Sequence, residues 1–445
     1  MTASNHGTSQ GRAVYIVDGS RTPFLKVRGK PGPFSAADLA VGAGRPLLLR
    51  QPFAATAFDE VILGCMMSGP DEANIARLVA LRLGCEKKVT AWTVQRNCAS
   101  GMQALDSARA NIASGRSDLV LAGGTESMGH APVLWGLDMV SWLGDWARAR
   151  SLGAKIKALS TLRPGYLKPI IGLLRGLSDP VVGLSMGQTA ENLAYRFGIT
   201  RSEMDGFAAE SHARLARAQD NALLDEIEAI FDARGNAYCA DDGLRRDSSI
   251  EKLGKLKPVF DRPFGSVTAG NSAQVTDGAA LLVLASADAV EKYGLEVMGC
   301  IKDSEWAGLA PEQMGLGPAH AMAPLLTRNG LVIDDIDYWE INEAFATQVM
   351  ACVKSWQDVD YCRDELGLDE TLGHIPHARL NVDGGGVSLG HPVGASGARI
   401  VLHLLNVLKR EKAHRGIASL CIGGGQGGAM LIERLDIAEP VGGER

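Results

Sequence analysis

Two stretches of this chain repeat one pattern: CASGMQALDSARANIASGRSDLVLAGGTESM at 98–128 and GASGARIVLHLLNVLKREKAHRGIASLCIGGGQGGAM at 394–430. Each has an Ala-Ser-Gly tripeptide, then a helix-type stretch, then an apolar strand that ends in consecutive glycines. The shared order of tripeptide, helix and double glycine predicts a duplication, with two related α/β halves in one chain.

Short apolar runs recur outside the two stretches as well, with helix-like segments between several of them: DEVILG, VTAWTV, GAALLVLA and AMLIERL. Alternation of this kind is typical of α/β layers whose strands are buried on both faces. A length of 445 residues is too great for one small domain. Residues 133–266 follow neither pattern, and we interpret them as a different region placed between the halves.

Composition excludes several classes of function. The net charge of -6 gives no overall case for binding nucleic acid or an anionic membrane. The eight cysteines form no CxxC pair, so we expect a reducing compartment and no disulfide framework. The nine histidines form no HxxxH or HExxH spacing, so we expect no metal site. The opening MTASNHGTSQGR has no apolar core, which favours a cytoplasmic protein.

Cys98 stands between a β-type run and a helix-type run, beside small residues. Asn97 is a competent N-cap, which would place Cys98 in the first turn of the helix. Unpaired N–H groups and the helix dipole lower a thiol pKa at such a position. We therefore predict an acidified nucleophile, and the alternative is a buried cysteine that only packs.

The second half supplies partners for this thiol. His391 lies between glycine and proline, just before the small-residue start of a helix, although a single histidine is more often structural. Cys421 ends a strand before three glycines, whose N–H groups can face an oxyanion. WEINEAFA at 339–346 adds Asn342 and Glu343 at the end of another β-like run. Two thiols, a histidine and an amide form a plausible acyl-transfer set.

Over nearly its whole length the chain resembles the thiolase family, which contains acyl-CoA acetyltransferases and 3-ketoacyl-CoA thiolases. The motifs that carry the resemblance, in family order, are NCASGMQAL, GGTESM, SMGQTAEN, VTAGNSAQVTDGAA, NEAFA, GGGVSLGHPVGASGAR and CIGGGQGGAM. The resemblance implies two βαβαβαββ halves in five layers, α-β-α-β-α, with an inserted loop domain. The expected bounds are 12–132 with 267–288 for the N-terminal half, 133–266 for the insert and 289–436 for the C-terminal half.

The resemblance also implies a mechanism. Cys98 would attack the 3-keto carbon of a 3-ketoacyl-CoA, and His391 would take its proton. Cys421 would protonate the acetyl-CoA enolate that leaves, while His391 and a water held by Asn342 stabilise it. The N–H groups of Cys98 and Gly423 would hold the tetrahedral oxyanion. A thiol suits this exchange because its acyl thioester is close in energy to that of CoA.

For coenzyme A, the resemblance implies that Arg245 lies near the nucleotide phosphates and that Phe260 and Ala269 lie along the pantetheine. Met186 and Phe345 would line the reacting end. CoA and acyl-CoA are substrates in this scheme, and no permanently bound cofactor is expected.

The motifs disagree about acyl-chain length. Ala273 stands where many family members have serine against pantetheine, with Ser272 shifted by one. Ser185 stands where short-chain acetyltransferases often have histidine, yet GHPVGASGAR resembles the acetyltransferase type. The insert is more similar to the β-subunit of the trifunctional fatty-acid oxidation complex. We expect thiolysis in β-oxidation, and the alternative is a short-chain acetyl-CoA acetyltransferase that makes or cleaves acetoacetyl-CoA.

Residues 146–178 are basic and partly apolar, with no acidic residue. Their seven cations are Arg148, Arg150, Lys155, Lys157, Arg163, Lys168 and Arg175. Three interpretations stay open: a solvated loop, a surface for CoA phosphates or a partner subunit, and a peripheral membrane contact. The resemblance further implies a homodimer or homotetramer and a hydratase-dehydrogenase α-subunit as partner.

Two other classes of protein are compatible with parts of the pattern. A condensing enzyme of the ketoacyl synthase type shares the fold and the cysteine nucleophile, but it would have a second histidine in place of Cys421. A non-enzymatic acyl-CoA carrier would have lost a catalytic position, whereas Cys98, His391, Asn342 and Cys421 are all present.

Overall fold

The computed structural model describes residues 11–435. Most of the opening segment on which the cytoplasmic expectation rests, and residue 436 at the expected end of the C-terminal half, lie outside these residues. The strands are β1 (Val14–Arg21), β2 (Leu25–Lys26), β3 (Glu60–Gly64), β4 (Thr90–Val94), β5 (Leu119–Ser127), β6 (Val133–Trp135), β7 (Pro169–Ile171), β8 (Ile230–Phe231), β9 (Ala237–Tyr238), β10 (Thr276–Ser286), β11 (Gly299–Gly308), β12 (Tyr338–Ile341), β13 (Arg415–Ile422) and β14 (Gln426–Glu433).

The helices are α1 (Ala36–Leu49), α2 (Ile75–Arg82), α3 (Ser100–Ala113), α4 (Leu137–Arg148), α5 (Leu152–Ser160), α6 (Gly172–Gly176), α7 (Met186–Arg196), α8 (Arg201–Asp220), α9 (Ile250–Leu253), α10 (Ala287–Tyr293), α11 (Gly317–Arg328), α12 (Ala346–Ser355), α13 (Val359–Leu366), α14 (Gly386–Leu389) and α15 (Val393–Arg410).

One sheet carries both halves, and its strand order contains the same pattern twice. The order is β4-β3-β5-β10-β1-β11-β14-β13-β12, with β2 paired to β10. In the first half β1, β10 and β5 run antiparallel in turn, and β5, β3 and β4 are parallel. In the second half β11, β14 and β13 run antiparallel in turn, and β12 is parallel to β13. A parallel bridge from Trp339 to Leu380 stands where the fifth strand would be. The duplication is therefore visible in both order and direction.

Alternation along the strands explains the layers. In β3, Ile62 packs in the cluster between the halves, whereas Val61 and Leu63 pack with α1 and α2 on the outer face. In β13, Leu420 faces inward and Ile417 faces α11 and α12. Helices α3 and α15 fill the space between the two parts of the sheet. The five-layer α-β-α-β-α order follows, with apolar strands because both of their faces are buried.

The two Ala-Ser-Gly starts meet each other in the central layer. A Cβ on Gly101 of α3 would lie 2.8 Å from the carbonyl oxygen of Gly394, and one on Gly397 of α15 would lie 2.5 Å from the Met102 nitrogen. Glycine at both places lets the helix backbones touch. The repeated tripeptide thus brings together the helix starts that follow Cys98 and His391.

Part of the insert forms a unit with an apolar surface. Strand β6 pairs with β7, and α4 packs on α5. Its exposed apolar side chains are Val133, Leu134, Trp135, Leu137, Val140, Leu143, Leu152, Ile156, Leu159, Leu167, Ile171 and Leu174. Within residues 11–435, no helix has both the length and the apolar character needed to cross a bilayer. The bounds expected for the halves and the insert stay predictions.

Candidate active site

The loop with Cys98 turns sharply between β4 and α3. The Arg96 N–H donates to the Ser100 hydroxyl at 2.9 Å, and that hydroxyl donates to the Asn97 carbonyl at 2.7 Å. Asn97 has a positive φ of 44°. Its side-chain amide donates to the Gly423 carbonyl at 2.7 Å, so it does not cap α3. The predicted N-cap is wrong, because a contact with the other half of the chain uses that side chain.

Cys98 accordingly lies before the helix and not in its first turn, because α3 begins at Ser100. Burial raises the pKa of the Cys98 thiol above its ordinary value, although the backbone N–H groups of Gly423 and of Cys98 itself act in the opposite direction. The expected acidification is therefore wrong in direction. In this state Cys98 is a neutral thiol that two amides face, and it needs a base before it can attack.

Cys421 and Gly423 lie at the end of β13, beside Cys98. Burial, followed by the neighbouring thiols of Cys98 and Cys352, raises the pKa of Cys421 well above its ordinary value. The turn after β13 contains Gly424 and Gly425, both with positive φ, so its backbone folds back without side chains over the thiols. Cys421 is therefore a protonated thiol that can donate to a carbanion.

His391 enters the site from the segment before α15. It is 8% exposed, and its Nδ1 is 2.6 Å from the Ser396 hydroxyl. Its Nε2 is buried and has no hydrogen-bond partner among residues 11–435. Burial, followed by the charge of Arg399, lowers the pKa of His391 to about 4. At neutral pH this imidazole carries no charge and has one nitrogen available as a base.

Asn342 follows β12, and its backbone N–H donates to the Ser419 carbonyl at 2.9 Å. Its side chain is 1% exposed, and neither its Oδ1 nor its Nδ2 has a partner among the described residues. Buried polar atoms without partners are uncommon in proteins, and they mark places where a water or ligand binds. Asn342 and His391 both have this property.

Glu343, the next residue, is fully engaged in the fold. Its carboxylate accepts from the Ser211 hydroxyl at 2.7 Å, the Asn381 amide at 2.9 Å and the Val387 N–H at 3.2 Å. Those bonds fix the loop before α14 against α8 and β12. Glu343 therefore holds the backbone around Asn342 and has no oxygen to spare for a substrate.

Three of the residues expected to contact coenzyme A lie together beside the thiols. The Phe260 and Phe345 rings meet edge to face with centroids 6.0 Å apart. A Cβ on Gly187 would collide with the Phe260 ring, so that ring covers the start of α7 next to Met186. The Met186 Sδ would lie 3.3 Å from a Cβ on Gly423. These apolar side chains border the backbone that faces Cys98.

The other two residues expected at coenzyme A lie apart from this group. Arg245 is partly buried, and its backbone N–H donates to the His212 Nδ1 at 3.2 Å. Ala269 is exposed in the loop before β10. Within residues 11–435 neither shares a hydrogen bond, ion pair or ring contact with Cys98, His391 or Met186.

Comparison with known proteins agrees with this geometry. The family model of the thiolase N-terminal domain matches residues 14–288, and that of the thiolase C-terminal domain matches residues 295–434. The chain belongs to the thiolase family. It is 34% identical over 429 residues to the 3-ketoacyl-CoA thiolase of Yersinia enterocolitica, which covers 96% of this chain and 98% of that protein. This thiolase is therefore an acyltransferase.

Two solved structures are similar to this thiolase over most of its length. The Bacillus anthracis acetyl-CoA acetyltransferase has a TM-score of 0.80 and 36% identity, and covers 96% of this chain and 100% of its own. Human mitochondrial 3-ketoacyl-CoA thiolase in complex with CoA has a TM-score of 0.81 and 34% identity, with coverage of 96% and 100%. The fold expected from the sequence motifs is confirmed.

Sequence reasoning missed two side chains near His391, although both lie within its motif. Ser396 contacts the imidazole, and Arg399 places a buried charge beside it. The available signal was helical spacing, since both residues fall in the first two turns of α15. The described residues contain no group of three or more side chains suited to hold a metal ion.

Proposed function

We propose that this thiolase catalyses the reversible thiolytic cleavage of 3-ketoacyl-CoA to acetyl-CoA and a shortened acyl-CoA, through an acyl-enzyme on Cys98. One observation carries the proposal most directly. A neutral thiol that two backbone N–H groups face lies beside a second, protonated thiol at Cys421. A nucleophile, an oxyanion pocket and an acid are thus available at the ends of neighbouring loops.

The first half-reaction starts at Cys98. Its proton moves to the Nε2 of His391, and the thiolate attacks the 3-keto carbon. The oxygen becomes an oxyanion that the N–H groups of Cys98 and Gly423 receive. Removal of one such donor typically costs about 10²–10³ in rate. The bond between C2 and C3 then breaks, which leaves the acyl group on the sulfur and releases the enolate of acetyl-CoA.

The enolate takes its proton from the Cys421 thiol. While the enolate exists, the protonated Nε2 of His391 and a water on the Asn342 amide donate to its oxygen. Both groups suit this role because their polar atoms are buried without partners among the described residues. Free CoA then gives its S–H proton to the Cys421 thiolate and attacks the acyl-Cys98 thioester, and the Cys98 thiolate that leaves takes back the proton held on the His391 Nε2. The second half-reaction exchanges the Cys98 thioester for a CoA thioester of similar energy, so the acyl-enzyme stays accessible from both directions.

Coenzyme A would extend from the apolar group of Met186, Phe260 and Phe345 towards Ala269 and Arg245. Met186 and Phe345 border the reacting end, with Phe260 beside them. Ala269 would contact the pantetheine, and Arg245 would face the nucleotide phosphates. Lys26 supports a phosphate site there. Its pKa is lowered first by burial and then by the charge of Arg245, so the two cations are close enough to act on each other and on one anionic group.

The role in fatty-acid β-oxidation rests on similarity to proteins named 3-ketoacyl-CoA thiolase. The alternative, an acetyl-CoA acetyltransferase restricted to acetoacetyl-CoA, rests on one similar structure of that name. Acyl-chain length separates the two, so the alternative is one outcome of the experiment below.

The expected partners and location belong to the same proposal. A homodimer or homotetramer, a hydratase-dehydrogenase partner and a cytoplasmic location stay predictions. For residues 146–178 we favour a peripheral contact with an anionic membrane over a solvated loop. The support is the combination of seven cations with the exposed apolar side chains of the insert.

The experiment measures thiolysis of 3-ketoacyl-CoA substrates of increasing length, from acetoacetyl-CoA upward. Wild type should cleave longer chains faster, and Cys98→Ala should lower the rate by at least about 10⁴-fold. Cys239→Ala removes an exposed thiol and is the matched control. With CoA withheld, mass spectrometry should find the acyl group on Cys98. Retention of activity by Cys98→Ala would contradict the proposal, and activity confined to acetoacetyl-CoA would favour the alternative.

A further inference from the structure

The contact between His391 and Ser396 is short and secluded. The Ser396 hydroxyl lies 2.6 Å from the His391 Nδ1 and 3.1 Å from the Pro392 carbonyl oxygen. Ser396 is 1% exposed, so no bulk water competes for either bond. The spacing from Pro392 to Ser396 is that of a hydroxyl that donates back one helical turn. One small side chain therefore joins the catalytic loop to the first turn of α15.

The hydroxyl has one hydrogen, and this limits how the imidazole is protonated. The geometry has the Ser396 hydroxyl donating its hydrogen to the Pro392 carbonyl, which also accepts the backbone N–H groups of Ala395 and Ser396. The oxygen then offers a lone pair to His391, and Nδ1 must carry the hydrogen that it accepts. In a neutral imidazole the other nitrogen is then unprotonated. That nitrogen is Nε2, the buried atom without a partner among the described residues.

We infer that Ser396 is a positioning residue that fixes His391 as the tautomer with Nδ1 protonated and the Nε2 lone pair directed to the reacting atoms. The inference deepens the proposed function and rests on it. In the first step the Cys98 S–H bond breaks and an N–H bond forms at Nε2. The imidazolium keeps its Nδ1 hydrogen on Ser396, and the electron pair left on sulfur attacks the substrate. When the thiolate is released again, the Nε2 proton returns to it.

A neutral hydroxyl and a carboxylate on Nδ1 would differ in their effect on the imidazole pKa. A carboxylate would raise the His391 pKa by favouring the cation, whereas the hydroxyl orients the ring without adding a charge. Arg399, on the next turn of the same helix, adds a positive charge that also disfavours a cation at His391. Glu126 accepts the Gly394 N–H at 3.0 Å and therefore engages the helix start and not the imidazole. A neutral partner thus orients His391 without charging it.

The first test is made on the wild-type protein. Nitrogen-15 NMR of the wild-type protein reports which imidazole nitrogen carries the hydrogen, and the His391 signals are assigned by their loss in His391→Gln. At neutral pH we expect a protonated Nδ1 and an unprotonated Nε2. A protonated Nε2 in the resting protein would overturn the inference.

The second test uses Ser396→Ala. We expect kcat for thiolysis to fall roughly 10-fold to 100-fold with KM little changed, less than the roughly 10²–10⁴-fold that a general base contributes. Alkylation of Cys98 by iodoacetamide should slow in parallel, and Ser396→Thr, which keeps the hydroxyl, should restore part of both rates. Ser355→Ala is the matched control, because Ser355 is also buried and donates back along its helix to Cys352 at 2.8 Å.

His391→Gln separates failure of the inference from failure of the proposed function. If that variant keeps both thiolysis and Cys98 alkylation, His391 is not the base, and if wild type itself shows no thiolysis, the proposed function is wrong. If it loses both while Ser396→Ala behaves like Ser355→Ala, only the positioning role of Ser396 is wrong.

Discussion

Two buried histidines on the same helical segment differ in charge. His391 precedes α15 and His403 lies within it, and they are 8% and 2% exposed. The pKa of His391 is lowered to about 4, mainly by burial. Burial acts on His403 in the same direction, but surrounding carboxylates raise its pKa to about 10. At neutral pH one imidazole is a free base and the other is a cation.

The surroundings of His403 come from distant parts of the chain. Its Nδ1 lies 3.0 Å from Glu226 of the insert, and its Nε2 lies 3.3 Å from Asp383 and 3.9 Å from Glu340 of β12. Arg21 of β1 joins the same cluster through Glu226 at 3.3 Å. His391 has a serine hydroxyl in place of these carboxylates. Burial alone does not decide the role of a histidine; the neighbours decide it.

The largest expected effect is a loss of thiolysis when the His391 imidazole is removed. His391→Gln removes the proposed base, so we expect thiolysis to fall by about 10³-fold or more. The free energy of unfolding should change little, because the imidazole has only one hydrogen-bond partner among the described residues, Ser396. Steady-state thiolysis and urea unfolding measure the two quantities. His374→Gln, at an exposed histidine, is the control.

A fall in stability with activity retained would contradict this assignment. It would mean that His391, like His403, serves the fold. The result would also remove the reason for a hydroxyl at Ser396.

The fold could be predicted from the sequence because the patterns that indicate it are local. The repeated Ala-Ser-Gly tripeptides mark the starts of α3 and α15, and the small residues are required where the two helices touch. The strands could be recognised because both of their faces are buried, which makes each strand continuously apolar. Such patterns need no knowledge of the partner element.

The site was harder to predict from sequence, because contacts between distant parts of the chain set its geometry and charge. Asn97 is a residue type that often caps helices, but its side-chain amide donates to the Gly423 carbonyl in the other half. Cys98 was expected to be acidified by a helix start, and burial beside the second half reverses the direction. His403 gave no signal, since its carboxylates lie in three separate segments. Residue types and order could be predicted, whereas burial and charge could not.

The next largest effect is expected at His403, and it concerns stability. His403→Gln leaves three buried carboxylates without their shared cation, so we expect a loss of about 3 kcal/mol in the free energy of unfolding. Thiolysis at a temperature where the protein stays folded should change far less than in His391→Gln. Urea unfolding and thiolysis of both variants beside wild type check that His403→Gln loses mainly stability and His391→Gln loses mainly activity.

The pH dependence gives this expectation a sign. Because the folded pKa of about 10 lies above the ordinary value of 6.5, the stabilisation from His403 is fully present below about pH 6.5. It is lost as the pH rises towards 10. His403→Gln should remove this loss, so its stability should fall less steeply than that of wild type over the same range. Equal slopes would show that His403 is not a buried cation.

The smallest effect sharpens the comparison at Arg399, the cation between the two histidines. Its Nη1 lies 3.3 Å from Glu340, and its charge acts on His391 after burial. Arg399→Gln should therefore raise the His391 pKa by less than about one unit, since the larger cause, burial, stays. Nitrogen-15 titration of His391 measures the shift. Arg410→Gln removes a cation that pairs with Asp383 at 2.9 Å, and should leave the titration unchanged.

The size of that shift decides what keeps His391 a base. If the pKa stays far below 6.5 in Arg399→Gln, the enclosed apolar setting is sufficient, and Arg399 serves chiefly to neutralise Glu340. If the pKa returns to its ordinary value, the cation is the cause. Burial would then contribute little at His391, and the sign of the nearest charge would distinguish it from His403, where the carboxylates outweigh burial.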